Sequence, residues 1–201
     1  MDERCHYLSE DLKVLFMGIN AISDGLSQYT KEKYNRINPM NENLADWKQK
    51  GRLVSGYSNN TIYESSTIIG DVTMGDNCWI GPFTILDGGG GLNIGNMVTI
   101  AAGAMIYTHD TLKFTLSNGK MPYEYNEVII GDNCFIGSQA IILKGSFIGC
   151  HSLVAANSLV NGRVPPYTIV AGSPARRIGT VRREEDGSVS LIYNKKGDCD
   201  D

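Results

Sequence analysis

The chain is short of the residues that metal centres and disulfide frameworks need, with three histidines and five cysteines in 201 residues. The cysteines (Cys5, Cys78, Cys134, Cys150, Cys199) are odd in number, scattered and never in a CxxC pair, which argues against both a zinc knuckle and a disulfide scaffold. His6, His109 and His151 lie in three dissimilar contexts, so a three-histidine zinc site is not expected and no metal is required. Positive charge is also scarce: 18 Lys and Arg stand against 22 Asp and Glu, a net charge of −4, which demotes nucleic acid and anionic membranes as partners. No apolar run approaches a bilayer span, and the start "MDERCHYLSEDLKVLFMGIN" is acidic where a secretory leader is basic, so a cytoplasmic location is expected. Prolines number six against 23 glycines, a balance that implies many tight backbone turns.

What the chain does have is a repeat. Every sixth residue is aliphatic through Ile62, Ile68, Met74, Ile80 and Leu86; a shift of two residues gives Ile94, Ile100 and Ile106; after a break the phase resumes at Ile130, Ile136, Ile142, Ile148, Val154 and Val160. With two breaks and a free phase allowed, such a run arises by chance on the order of 10⁻⁵ of the time. The next residue is often Gly or Ala, which reads as a turn, and the residue four on is small or β-branched, as at Cys78, Thr84, Ala104, Cys134 and Ser152. A helix would repeat every three or four positions and would not tolerate so many glycines; an ordinary half-buried strand alternates by two. A period of six with regular turns implies a solenoid in which each hexapeptide forms one side of a prism, three of them close a coil of about 18 residues, and stacked coils pair in parallel. Cys78 and Cys134 then read as small core residues.

Residues 1–58 lack the period. Leu8, Leu12, Leu15 and Ile19 are at helical spacing behind a possible Ser9 cap, so a short amphipathic helix is expected there, packed against the open first coil. At the other end, "VRREEDGSVSLIYN" reads as two strands about Asp186 and Gly187, and "KKGDCDD" as a solvated end. The expected organisation is a partly helical capping segment over 1–58, a solenoid over 59–178 and a hairpin with tail over 179–201. Two interruptions break the prism. The run "GGGG" at 88–91 is either a flexible corner or a place of close backbone approach. Residues 107–128, "YTHDTLKFTLSNGKMPYEYNEV", are too polar and aperiodic for the wall and are expected to protrude as a loop with His109 at its root.

The segments "IGDNCWIGPFTIL", "IGDNCFIGSQAIIL" and "VPPYTIVAGSPARRIG" resemble the hexapeptide-repeat acyltransferases, in particular the branch that holds galactoside and maltose acetyltransferases and polysaccharide O-acetyltransferases; the likeness covers about residues 60–178. It implies an all-β solenoid wound as a left-handed parallel β-helix, a handedness taken from the family because right-handed crossovers are the rule elsewhere. It implies acetyl-CoA as acetyl donor, a carbohydrate hydroxyl as acceptor and a homotrimer with the donor in a groove between subunits. The family's base is a histidine in the interrupting loop, where His109 stands, and an imidazole has the basicity to take a hydroxyl proton near neutral pH. Asp110 is a candidate to orient it. Ser138 and Ala156 match positions that contact the pantetheine arm, and Arg176 one that meets the nucleotide phosphates, with Arg177 and Arg163 near enough to assist. The family's usual Lys is absent at Gly162. Asp87 matches a position that holds an acceptor hydroxyl, although a turn aspartate before glycines is an equal reading. Tyr107, with Tyr123 and Tyr125, is a candidate to stack on a sugar face or merely to anchor the loop. An amine acceptor on a nucleotide-linked amino sugar, or an antibiotic, is the rival expectation, and a non-catalytic solenoid a third.

Overall fold

A computed structural model describes residues 3–194; the expectation for "KKGDCDD" lies outside them. By backbone contacts the chain divides into two units, one up to Ala45 and one from Asp46.

The first unit is helical. A 3₁₀ turn at Glu3–Tyr7 leads into α1 (Glu10–Tyr34), and α2 (Met40–Leu44) follows. Ser9 is the N-cap residue of α1 but makes no side-chain cap bond, and the helix ends where Asn35 turns left-handed (φ 51°) and its N–H returns to Lys31 and Thr30. The expected helix is present and longer than the sequence suggested, and none of its residues is buried.

The second unit starts with α3 (Trp47–Ser55), capped by the Asp46 carboxylate on the N–H groups of Lys48 and Gln49 and closed by Gly56 at φ 78°. This helix packs on the first coil. Trp47 stacks on Tyr63 with ring centroids 4.0 Å apart, and Lys50 Nζ donates to the carbonyls of Glu64 and Ser66 at 2.7 and 2.9 Å. Asn60, fully buried, ties the two together: its amide donates to Ser55 Oγ and the Gly75 carbonyl, and its Oδ1 accepts the Cys78 N–H at 2.7 Å.

The strands that follow are β1 (Thr61–Ile62), β2 (Thr67–Met74), β3 (Trp79–Ile80), β4 (Ile85–Ile94), β5 (Thr99–Ile100), β6 (Met105–Ile106), β7 (His109–Asp110), β8 (Glu124–Tyr125) and β9 (Val128–Ile130). Beyond them run β10 (Phe135–Ile136), β11 (Ile141–Ile142), β12 (Phe147–Ile148), β13 (Leu153–Val154), β14 (Leu159–Val160), β15 (Arg163–Val164), β16 (Thr168–Gly172), β17 (Ala175–Arg183) and β18 (Val189–Tyr193). One wall stacks β1, β3, β5, β10, β13 and β16 in parallel, one strand from each of about six turns. A second carries β6, β11 and β14 on the start of β4, and a third carries β9, β12 and β15 on its end. The fold is thus the parallel β-solenoid expected, a left-handed β-helix with an N-terminal helical segment.

Register gives the coil length. Thr61 pairs with Trp79 and Phe135 with Leu153, 18 residues apart; Trp79 pairs with Thr99, 20 apart, which is the two-residue insertion at the glycine run. Thr99 pairs with Phe135, 36 apart, so one whole coil's length leaves the wall as the loop at 107–128. Thirteen of the fourteen periodic aliphatics are buried, and Ile68, on the first strand of the second wall, is half-covered. The small residues four positions on line the same interior, with Cys78, Ala104, Cys134 and Ser152 all buried.

The glycine after each aliphatic serves stacking more than turning. A Cβ on Gly137 would lie 2.5 Å from the backbone N of Ala156 in the next coil. The left-handed turn residue comes two positions later, at Asn77, Asn133 and Asn157 (φ 56° to 58°), a conformation that Asn tolerates better than most side chains. The antiparallel pair β17 and β18 extends the first wall, as the reading around Asp186 and Gly187 anticipated. Among the described residues no helix is long and apolar enough to cross a membrane.

Candidate active site

At the corner between the second and third walls the chain leaves β6 through Thr108 and enters β7, which pairs antiparallel with β8 as the loop returns. Between them α4 (Leu112–Leu116) makes one helical segment. The loop therefore has an ordered base: His109 faces Tyr125 across the strand pair, with rings 5.5 Å apart and 20° from parallel.

The carboxylate at the imidazole is Asp87, not Asp110. Oδ2 of Asp87 lies 2.6 Å from His109 Nδ1 and also accepts the Thr108 N–H at 2.9 Å and the Thr108 hydroxyl at 3.3 Å; Oδ1 accepts the Gly89 N–H at 2.9 Å. The side chain is 1% exposed. Burial alone would raise its pKa, but the hydrogen bonds from Gly89, Thr108 and His109 outweigh burial and hold the carboxyl below its ordinary value. An ionised carboxylate only accepts, so the short contact requires a proton on Nδ1 and leaves the lone pair of the neutral ring on Nε2, on a side chain 36% exposed. A buried anion orients a half-exposed base.

One expectation is corrected, that Asp110 orients the imidazole. Asp87 is buried against the protein's own donors. Asp110 points elsewhere: its Oδ1 accepts the Leu112 N–H at 3.0 Å and its Oδ2 pairs with Lys144 Nζ at 3.1 Å, contacts that lower its pKa in that order. Lys144 also reaches Glu124 at 2.7 Å, and Glu124 meets Lys113 at 2.5 Å, so Lys113 first and Lys144 second bring the Glu124 carboxyl down to about 2. Lys144 projects from the coil above Thr108 and fastens both strands of the loop base, β7 through Asp110 and β8 through Glu124.

The glycine run is strand, not flexible corner. β4 continues through it, and a Cβ on Gly90 would come within 2.5 Å of the Thr108 carbonyl. The Gly90 N–H donates to Thr108 Oγ1 at 2.7 Å. Thr108, fully buried, is the residue that sequence reading missed; it links the run to Asp87, and only its place two after Ile106 in the repeat hinted at an inward corner.

The other expected residues are dispersed. Ser138 and Ala156 are exposed and sit one above the other, joined by Asn157 N–H to the Ser138 carbonyl at 2.9 Å, at the corner between the first and second walls. They do not share a corner with His109. Arg176 and Arg177 are exposed on β17, opposite Ala171 and Val170. Arg163 lies on the third wall, its guanidinium 4.3 Å from the centre of the Phe147 ring, and the structure does not bring it to Arg176. Tyr107 is half-buried in the wall with its hydroxyl on Met105 Sδ at 3.3 Å, and Tyr123 meets Phe114 edge-on at 4.8 Å. Tyr125, 53% exposed, is the tyrosine at the imidazole.

The family model described as the hexapeptide repeat of succinyl-transferase matches residues 127–161. The chain is 36% identical over 80 residues to a chloramphenicol acetyltransferase of Agrobacterium fabrum, covering 40% of this chain and 36% of that protein. It is 31% identical over 128 residues to the galactoside O-acetyltransferase of Escherichia coli K12, covering 53% and 62%. The chain thus spans less than two thirds of the length of these curated relatives. In fold it resembles a hexapeptide-repeat acetyltransferase of Vibrio cholerae solved in complex with acetyl coenzyme A, with a TM-score of 0.61 and 24% identity over 82% of this chain and 87% of that one.

Proposed function

We propose that this chain, which resembles the hexapeptide-repeat acetyltransferases in its repeats and its fold, transfers acetyl from acetyl-CoA to a hydroxyl of a carbohydrate, with His109 as general base. The observation that carries this reading is the 2.6 Å contact between buried Asp87 and His109 Nδ1, which leaves Nε2 as a proton acceptor on a half-exposed ring. In the forward step Nε2 takes the acceptor's hydroxyl proton as its oxygen forms a bond to the thioester carbonyl carbon. Collapse of the tetrahedral adduct breaks the C–S bond, and the imidazolium returns the proton to sulfur, giving the ester and free CoA thiol. The ionised Asp87 stabilises the imidazolium between the two transfers. Tyr125, parallel to the imidazole and half exposed, offers an aromatic face for a sugar ring.

The donor is assigned to the line of Ser138 and Ala156, with Arg176 and Arg177 toward its phosphates and Arg163 on another wall. Because His109 and the Ser138–Ala156 line occupy different corners of one prism, a complete site is assigned to the groove between copies of a homotrimer, one copy supplying the base and its neighbour the donor wall. The reaction is placed in the cytoplasm.

The test is CoA thiol release against saccharides, nucleotide sugars, amines and chloramphenicol. A hydroxyl acceptor should support release, and His109→Ala should lower it by about 10²–10⁴ while sparing CoA binding. Undiminished turnover in that variant removes His109 from the chemistry. A second reading changes only the acceptor, to an antibiotic or the amine of a nucleotide-linked sugar; the likeness to a chloramphenicol acetyltransferase favours the antibiotic, and the same panel separates the two.

A further inference from the structure

The helix α1 carries more apolar surface than its own unit covers. Leu12, Leu15, Ile19, Ile22, Leu26 and Tyr29 are spaced three, four, three, four and three residues apart, the seam of a coiled coil held for about two and a half heptads. Its own unit leaves this seam open: Leu12 is 47% exposed, Leu15 58%, Ile19 41%, Ile22 54% and Tyr29 49%. Isolated surface apolar residues are ordinary, but a continuous stripe along a helix of 25 residues, about 37 Å long, is the signature of a partner.

We infer that α1 pairs with α1 of a second copy of this chain, antiparallel, through this seam. Charge decides the direction. The first turn of the helix carries Glu10 and Asp11, with Lys13 paired to Glu10 at 2.6 Å, and the last carries Lys31 and Lys33 about Glu32, so the first end is net negative and the last net positive. Parallel helices would set like charges together at each end; antiparallel ones set Glu10 and Asp11 against the partner's Lys31 and Lys33, with the helix dipoles opposed. In that register Leu12 meets the partner's Tyr29, Leu15 the partner's Leu26 and Ile19 the partner's Ile22, so every layer joins two apolar residues. Five half-exposed side chains make a small interface, and the pairing is expected to weaken on dilution. The contact is independent of the acyl-transfer reading, and it would double whatever number of copies the solenoids assemble.

The experiment is cysteine cross-linking and mass measurement on the full chain. With a short thiol-specific cross-linker, Ile19→Cys lies near the two-fold axis and should give a cross-linked dimer, whereas Leu12→Cys, its counterpart about 25 Å away along the pair, should not. Cross-links at both positions would show a parallel bundle, and at neither would show no pairing; either result overturns the inference. Light scattering at high protein concentration should show the mass halved by Ile19→Asp and unchanged by Met17→Asp, a helix position outside the seam. Equal masses for the wild-type chain and Ile19→Asp would refute it as well. Thiol release by both variants reports separately on the catalytic reading, which is untouched by either outcome.

Discussion

Nδ1 of His109 and Oδ2 of Asp87 are 2.6 Å apart although 22 residues separate them in sequence. The coil at this level is 20 residues long, since Leu86 pairs with Ile106, so the residue after each of these aliphatics stacks on its counterpart and the imidazole two positions further reaches back to the carboxylate. Asp87→Asn keeps the shape and removes the charge that fixes the Nδ1–H tautomer. The turnover number should fall about 10²–10⁴-fold with little change in KM for acetyl-CoA, measured by thiol release. Because the carboxyl is held below its ordinary pKa, it stabilises the fold at pH above the unfolded value near 4, and that contribution is lost as pH falls through the lower folded value. Melting temperatures of the wild type and Asp87→Asn should therefore converge in acid.

Glu124 ties β8 to the wall through Lys144 and to α4 of the loop through Lys113, and its pKa is brought down to about 2. Its folded pKa lies below the unfolded value, so whatever the contact contributes is complete above about pH 4.3 and lost only as pH falls toward 2. A carboxyl-detected NMR titration should place the midpoint near 2 in the wild type and shift it upward in Lys144→Met, which removes one of its two cationic partners. A Glu124 midpoint in the ordinary carboxylate range would show that the pairing does not persist in solution.

The periodic wall was legible because it is written in single residues: each inward aliphatic is one letter in six, and burial follows it almost without exception. The loop and the histidine at its root were legible for the same reason, as the place where the letters stop. The identity of the histidine's partner was not, since Asp110 is adjacent in sequence while Asp87 becomes adjacent only when the 20-residue coil is counted. Lys144 comes to lie above Thr108 in the same way, since both stand two residues after a paired aliphatic, Ile142 on Ile106, across the 36 residues that include the loop. Over residues 1–58 the signals were local and partly read. The apolar spacing that pointed to a short helix was followed only as far as Ile19, whereas the helix continues to Tyr34 across Gly25, since a glycine in a helix interior costs only about 1 kcal/mol. Asp46 and Gly56 bracket α3 as N-cap and left-handed C-cap, a signal present in the sequence that the absence of a six-residue period obscured.

Gly89 and Gly90 are neighbours with opposite consequences. A methyl group on Gly90 would meet the Thr108 carbonyl at 2.5 Å and the Asn126 nitrogen at 3.0 Å, both backbone atoms, so Gly90→Ala should destabilise the protein by about 1–3 kcal/mol through overpacking. On Gly89 the nearest atoms are Asp87 Oδ1 at 3.1 Å and His109 Nδ1 at 3.4 Å, both side-chain atoms. Gly89→Ala should melt closer to the wild type and lose turnover by disturbing the carboxylate and imidazole. Thermal denaturation and thiol release on the two variants give the comparison, and equal loss of stability in both would contradict it.

Cys134 occupies a core position of the repeat, 2% exposed, with its thiol 3.1 Å from the Gly149 carbonyl in the coil above. Burial is the largest influence on it and pushes its pKa up to about 11, against which the backbone N–H groups of Ser152 and His151 act only weakly. The thiolate is the reactive form, so at pH 8 both access and ionisation protect this residue. Cys78, equally buried in an earlier coil, has its pKa raised for the same first reason, whereas Cys150 stands at a corner and is partly exposed. Alkylation of the native protein at pH 8, followed by peptide mass analysis, should modify Cys150 well before Cys78 and Cys134, and denaturant should abolish the difference. Early modification of Cys134 would mean that the coils around it open far more readily than a continuous stack of buried aliphatic side chains allows.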